Sequence, residues 1–177
     1  YIFFCNMKGD RQEIDNIFNA IKKYAKKDGW YHGNPTEEQI INGVMKVMTA
    51  YDVIGKEVDK GIAKGIIDRL LKTTKYEGGC GVYDYVYVLI RCMPAGHRLD
   101  EIKKRLYEVY DKILEYQMSD GGFKYTKDPK KRDTYSGKEV AVPGAYGCVH
   151  ATTVFCMALT MLNTALDLGL NLNLAIS

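Results

Sequence analysis

Residues 82–93 read VYDYVYVLIRCM and are apolar at nearly every position. The valines, tyrosines and isoleucine of this stretch favour a strand, which is one interpretation. Twelve residues are long for a strand, however, and the stretch stands within a regular alternation of helical patterns. We therefore predict that residues 82–93 form a helix that is buried on most sides.

The segments on either side of this stretch alternate in character. Three of them carry an apolar stripe opposite a charged face: 10–26, 57–73 and 98–117. Three are apolar around most of the helix: 36–54, 82–93 and 148–168. Amphipathic helices suit an outer layer, whereas helices that are apolar all round require burial. The alternation predicts an all-α, two-layer fold of three antiparallel helical hairpins, with the apolar helices inside.

A degenerate repeat precedes each apolar helix. An acidic residue and a glycine, usually with a bulky residue after them, recur about every 45 residues. The copies are DGWY at 28–31, EGGC at 77–80 and DGGF at 120–123. A period of this size is typical of stacked helix pairs, in which each pair buries its apolar face against its neighbour.

Composition excludes several classes of protein. The 177 residues suit a single domain, 1–177, and 46% apolar with 27% charged residues is ordinary for globular proteins. A net charge of +3 from 25 basic and 22 acidic residues argues against a nucleic-acid partner. We expect no membrane span, because the longest apolar runs are interrupted by Asp84 and Arg91 or by His150.

The cysteines and the two ends of the chain support further expectations. Five cysteines without a CxxC pair are typical of reduced thiols, so we expect a cytoplasmic protein. The chain opens at Tyr1 without a methionine or a visible signal peptide, which indicates a piece or a processed product. Short apolar runs at 1–5 and 170–176 have a strand pattern, and we expect a short β ribbon there.

Residues 117–123, QMSDGGF, resemble the glutamine–aromatic repeat of squalene and oxidosqualene cyclases and of protein prenyltransferase β subunits. Gln117, Gly121 and Phe123 stand at the positions of Gln, Gly and Trp or Phe in that repeat. Residues 144–153, GAYGCVHATT, resemble the closing repeat of the same group. The resemblance implies a partial α/α toroid. Because the family toroid usually has six hairpins, the chain would be a C-terminal part of a longer one.

Two signatures of these families differ here. The Asp-x-Asp-Asp motif of squalene-type cyclases does not occur in the chain. His150 stands where the zinc-binding His of the prenyltransferases would lie, but Cys80 and Asp84 do not have the family's local spacing. A zinc site from these residues is a minor alternative. Our prediction is that the protein uses no metal and no other cofactor.

Candidate site residues lie where the inner helices begin. If the inner helices all start at one end, their N-terminal amides and dipoles converge there and favour anions. Asp84 and His150 are candidate acid/base groups, and Tyr146 joins them by resemblance to toroid polysaccharide lyases. A small-molecule or glycan substrate, anionic to suit the basic loop at 119–147, is the predicted partner. The candidate substrate-binding residues are Trp30, Tyr31, His32, Tyr83, Phe123 and Lys124.

Three classes of function stay open from the sequence. The first is a terpenoid cyclase- or prenyltransferase-like enzyme domain with its substrate in a central cavity. The second is a toroid lyase or hydrolase of acidic glycans, and the third is a non-catalytic binding or scaffold domain. The scaffold interpretation expects His150 to bond a loop carbonyl, and Asp84 to pair with a Lys, an Arg or a backbone N–H.

Overall fold

The computed structural model describes residues 11–127, 133–135, 137–141 and 146–170. Most of this part of the chain is helical, as predicted, and residues 82–93 are helix and not strand. A short 3₁₀ turn, Met93–Ala95, follows the fourth helix. The α-helices are α1 Arg11–Lys22, α2 Glu37–Val53, α3 Lys60–Leu70, α4 Gly78–Cys92, α5 Leu99–Leu114 and α6 Val149–Leu166.

Two small hairpins correct the predicted boundaries. Strand β1, Ala25–Lys26, pairs antiparallel with β2, Gly29–Trp30, so the first helix ends at Lys22 and not at residue 26. Strands β3, Asp133–Tyr135, and β4, Lys138–Ala141, pair within the predicted loop 119–147. The expected ribbon between residues 1–5 and 170–176 falls outside the described residues, except for residue 170.

Helix caps explain where two of the helices begin. Thr36 and Gln39 form the predicted capping box: each side chain accepts a hydrogen bond from the other residue's backbone N–H. Helix α3 begins at Lys60, three residues later than predicted. Asp59 caps it, because its Oδ1 accepts from the N–H groups of Gly61 and Ile62 at 2.8 and 3.1 Å.

The three apolar helices lie side by side, with α4 between α2 and α6. Helices α3 and α5 both contact α4, and α5 also contacts α6. Asn42, near the start of α2, bonds Asp84, near the start of α4. Asp52, near the end of α2, accepts hydrogen bonds from Tyr87 and Arg91 near the end of α4. Helices α2 and α4 therefore run parallel, with their N-termini at the same end.

The apolar helices differ in how much of their surface is buried. Helix α4 is buried around most of its girth, and Tyr85 and Leu89 are completely buried. Helix α6 is buried along one stripe that includes Phe155, while much of its other side is half-buried or exposed. The prediction of burial on most sides thus holds for α4 but not for α6.

Helix α6 also has the length and apolar composition of a membrane span. The core helix of a soluble protein has the same properties, and Phe155 and Leu162 of α6 are completely buried against the rest of the chain. The expectation that no segment spans a membrane stays a prediction.

Candidate functional site

Helix α4 begins at Gly78, four residues before the predicted start, and its first turn is GGCG. Its N-cap residue, Glu77, makes no side-chain cap. The Tyr116 hydroxyl interacts with the backbone of Gly78, and the Tyr125 hydroxyl interacts with that of Cys80. Two tyrosines from other parts of the chain therefore lie against a glycine-rich first turn of low helix propensity.

Glycine is required in this turn because Tyr125 lies directly against it. A Cβ added at Gly78 would lie 3.0 Å from the Tyr125 ring. One added at Gly79 would lie 2.6 Å from Val154 of α6 and 3.3 Å from the Tyr125 ring. The missing side chains let Tyr125 and α6 approach the start of α4 closely.

A cysteine and a histidine meet where α4 and α6 begin. The Cys80 Sγ lies 3.3 Å from the His150 Nε2. The Tyr125 ring stacks on the His150 ring with centroids 5.5 Å apart, and the Tyr125 side chain also hydrogen-bonds that of Cys80. All three residues are half-buried, so the group lies at the protein surface. The short distance also shows that α4 and α6 begin at the same end.

Asp84 lies one turn after Cys80 on α4 and is 5% exposed. Asn42 of α2 donates to its Oδ2 at 2.7 Å, and no Lys or Arg within the described ranges forms an ion pair with it. Burial raises the pKa of Asp84. The hydrogen bond from Asn42 and the charge of Lys46 oppose this rise in pKa without cancelling it. A buried carboxylate without a cationic partner is costly to keep charged.

Tyr125 contacts the Cys80 thiol and the His150 imidazole, and the charge of Asp84 also acts on it. Its pKa is raised, first by burial, then by its interactions with Cys80, and last by the negative charge of Asp84. Tyr125 therefore keeps its proton at neutral pH. We call Cys80, Asp84, Tyr125 and His150 the Tyr125 cluster. Within it, the His150 ring stacks on that of Tyr125, and Asp84 lies one helical turn after Cys80.

The glutamine–aromatic segment positions this cluster. The Asp120 carboxylate accepts from the backbone N–H groups of Gly122 and Gly147, both at 3.0 Å. The N–H of Cys148 donates to the carbonyl of Phe123 at 2.9 Å. These bonds fasten the segment that carries Tyr125 to the start of α6, which carries His150.

The other predicted residues on this side of the molecule have different surroundings. Phe123 is buried against Phe155, with ring centroids 5.4 Å apart. The backbone N–H of Lys124 donates to the carbonyl of Tyr116. Tyr83 is half-buried, and the charge of Asp84 contributes to its raised pKa after burial. Tyr146 is 76% exposed.

The predicted residues of the first repeat lie around β2. Trp30 is buried, and its ring meets that of Tyr51 edge-on at 5.7 Å. The Tyr31 hydroxyl donates to Asp28 at 2.9 Å. His32 is exposed, with its ring edge-on to that of Tyr24. The contacts of these residues do not reach the Tyr125 cluster.

A cleft of about 700 Å³ lies elsewhere, between the turn of the first hairpin and α3. Within it, Arg69 forms ion pairs with Asp28 at 3.0 Å and Glu37 at 2.9 Å, and three lysines also line it, Lys27, Lys72 and Lys75. The Tyr125 cluster instead combines a nucleophilic thiol, an imidazole and a buried carboxylate that has no ion-pair partner within the described ranges. For this reason we take the cluster, and not the cleft, as the candidate site.

Two residues of the site were not among the predicted ones. Tyr125 lies two residues beyond Phe123 of the glutamine–aromatic segment, but its position in the sequence carries no signal for its contacts. Asn42 does have a signal, because it is an amide in a helix that is otherwise apolar on most sides. A polar residue in such a helix needs a partner, which here is Asp84.

No family model, no curated protein and no solved structure matches this chain. The relationship to the cyclases and prenyltransferases therefore stays a prediction from the motif. The described ranges contain no group of three or more His, Cys, Asp or Glu residues arranged to share a metal ion. Cys80 and His150 alone would supply only two ligands.

We expect Asp84→Asn to stabilise the fold at neutral pH by roughly 2–4 °C in Tm, because it removes a buried charge. The pKa of Asp84 in the folded state lies above its ordinary value of 3.8. The favourable contribution of the protonated group is complete below pH 3.8 and is lost as the pH rises through the raised pKa.

The two melting curves should therefore coincide near pH 3 and separate as the pH rises. Thermal unfolding followed by circular dichroism between pH 3 and 8 measures this difference. A variant that is less stable than the parent at neutral pH would show that the carboxylate stabilises the fold.

Proposed function

We propose that the chain is an enzyme domain of the α/α toroid type that performs acid/base chemistry, with Asp84 and His150 as its principal groups. One observation carries this proposal: Asp84 is buried, has no ion-pair partner within the described ranges, and lies one helical turn after Cys80, which contacts His150. Buried carboxylates with raised pKa values are typical of functional sites.

The partners of these two groups argue against a scaffold domain. Asp84 pairs with the side chain of Asn42, and His150 contacts the side chains of Cys80 and Tyr125. Among the described residues, Asp84 thus pairs with a side-chain amide and not with the Lys, Arg or backbone N–H that a purely structural role predicts. A carboxylate that costs stability is also more readily explained by function than by folding.

The proposed roles follow from the environment of each group. Because its pKa is raised, Asp84 holds its proton to a higher pH than an exposed carboxyl, which suits a general acid. The imidazole of His150 is the natural proton acceptor in the cluster. Tyr83 and Tyr125 add aromatic surface, and the parallel starts of α4 and α6 favour an anionic group.

These features favour an isoprenoid substrate, and in particular an isoprenoid pyrophosphate. The aromatic rings would contact the hydrocarbon, and the helix N-termini would attract the pyrophosphate. Hydrolysis or elimination of an acidic glycan is the competing activity, and the test separates the two. Here Tyr125, which keeps its proton, would replace the exposed Tyr146 as the tyrosine of the site.

The test compares the parent chain with Asp84→Asn and Asp52→Asn. Asp52 is a matched control, because it lies at the opposite end of the same two helices and bonds Tyr87 and Arg91. Each protein is incubated with isoprenoid pyrophosphates, with cyclisable isoprenoids and with acidic polysaccharides. Products are identified by mass spectrometry.

We expect turnover of an isoprenoid that falls at least about 100-fold in Asp84→Asn and is unchanged in Asp52→Asn. Cleavage of an acidic glycan alone would contradict the isoprenoid assignment. An isoprenoid activity that survives in Asp84→Asn would contradict the acid/base role. Failure of the parent chain to bind or convert any member of the three classes would favour a scaffold.

A further inference from the structure

We propose that Cys80 is a covalent nucleophile for acyl transfer, with His150 as its base, and that its substrates are esters or thioesters. This activity goes beyond the acid/base chemistry proposed above and does not require Asp84. The arrangement that carries it is the contact between the Cys80 Sγ and the His150 Nε2 at 3.3 Å, at the surface end of α4 and α6.

The surroundings hold this pair in position and keep it accessible. His150 is the second residue of α6, and its ring stacks on that of Tyr125, which fixes the imidazole plane. Cys80 is the third residue of α4, and it lies between glycines. Its neighbours Gly79 and Gly81 carry no side chains, and Cys80 itself is half-buried.

The other described cysteines lack these features. Burial raises the pKa of Cys92 to about 12, and its thiol is completely enclosed. The Sγ of Cys148 caps α6 by accepting from the N–H of Ala151 at 3.2 Å. Cys156 is half-buried, as Cys80 is, but within the described ranges no histidine contacts it. Cys156 therefore serves as an internal control.

In the acylation step, the Cys80 Sγ bonds to the carbonyl carbon of the substrate while the thiol proton passes to the His150 Nε2. The carbonyl oxygen becomes an oxyanion, to which the Tyr125 hydroxyl can donate a hydrogen bond. The C–O or C–S bond to the leaving group then breaks. The leaving group departs as an alcohol or a thiol with the proton from His150.

In the deacylation step, His150 accepts a proton from a water molecule that adds to the thioester carbon. The C–S bond breaks, and Cys80 recovers its proton from His150. The sum of the two steps converts an ester and water into an acid and an alcohol. No oxidant, reductant or metal is needed.

The probe is p-nitrophenyl acetate, an activated ester that reports release of p-nitrophenolate by absorbance. We expect a burst that is stoichiometric with the protein, and an acetyl group on Cys80 in the mass spectrum of the digested protein. Cys80→Ser should abolish the burst, and His150→Gln should slow it at least about 100-fold. Cys156→Ser should retain it.

Several results would overturn the proposal: acetylation of lysines or of Cys156 at the same rate as Cys80, no burst, or a burst unaffected by His150→Gln. Circular dichroism of each variant checks that it is folded. Alkylation by iodoacetamide gives a second measurement within one sample. Cys80 should react at least about 10-fold faster than Cys156 in the parent, and His150→Gln should remove most of that difference.

If the parent chain shows the burst but no isoprenoid turnover, only the function proposed for Asp84 is contradicted. If the parent chain shows isoprenoid turnover but no burst, only the role proposed for Cys80 is contradicted. The two proposals can therefore fail separately.

Discussion

Phe155→Ala is expected to lower the free energy of unfolding by about 4 kcal/mol. Phe155 is completely buried on α6, and its ring contacts those of Tyr116 at 4.9 Å and Phe123 at 5.4 Å. The substitution removes the side chain through which α6 packs against Tyr116 and Phe123, and it leaves a cavity in the core. Urea unfolding followed by circular dichroism measures the loss.

Phe155→Leu is the matched control. It keeps most of the buried apolar volume and should cost much less than the alanine variant, about 1.5 kcal/mol. If Phe155→Ala were no more destabilising than Phe155→Leu, α6 would not be anchored at this point. The position of His150 at the start of that helix would then lose its main support.

Gly65→Ala is expected to destabilise the fold by about 3 kcal/mol, although alanine favours helix formation by about 1 kcal/mol relative to glycine. Gly65 lies in α3, against the turn of the first hairpin. A Cβ at this position would be 1.9 Å from the carbonyl oxygen of Lys27 and 3.1 Å from the Cα of Asp28. Both are backbone atoms, so the clash can be relieved only by moving the helix or the hairpin.

Gly43→Ala is the control, because it is expected to change stability in the opposite direction. Gly43 is also within a helix, but a Cβ there would lie 3.6 Å from the carbonyl oxygen of Trp30, which is an ordinary contact. We expect this variant to be more stable than the parent by about 0.5–1 kcal/mol. Equal effects of the two substitutions on the urea midpoint would contradict the close packing of α3 on the first hairpin.

The helices of this fold could be predicted because the sequence repeats the same contrast three times. Amphipathic segments alternate with apolar ones, and the Thr36–Gln39 capping box marks one start directly. The start of α4 at Gly78 lies before the predicted one, because glycine has low helix propensity and Tyr125, which packs against the GGCG turn, is distant in sequence. Local preference was overridden by tertiary contacts.

The hairpins could not be predicted for a different reason. Strands of two to four residues, such as Ala25–Lys26 and Lys138–Ala141, are too short to show a period of two. The burial of α6 was overestimated because composition shows how apolar a helix is, but not how many neighbours cover it.

For the site, the useful signal was a polar residue in an apolar helix. Asp84 and His150 both stand out in this way, and the fold brings His150 into contact with Cys80, one helical turn before Asp84. The aromatic residues could not be sorted into core and site residues in this way, because nothing in their sequence context separates Trp30 in the core from Tyr125 in the cluster. The contact between Cys80 and His150 joins residues 70 positions apart, so only the packing of α4 on α6 reveals it.

The most direct test of the candidate site is a nuclear Overhauser spectrum of the protein in solution, read at the ring protons of His150. With three histidines in the chain, their resonances can be assigned by substitution. We predict cross-peaks from the His150 ring to the Tyr125 ring and to the Cys80 Hβ protons. Their absence, in a spectrum that resolves the contact between the Tyr116 and Phe155 rings, would contradict the Tyr125 cluster and both functions proposed from it.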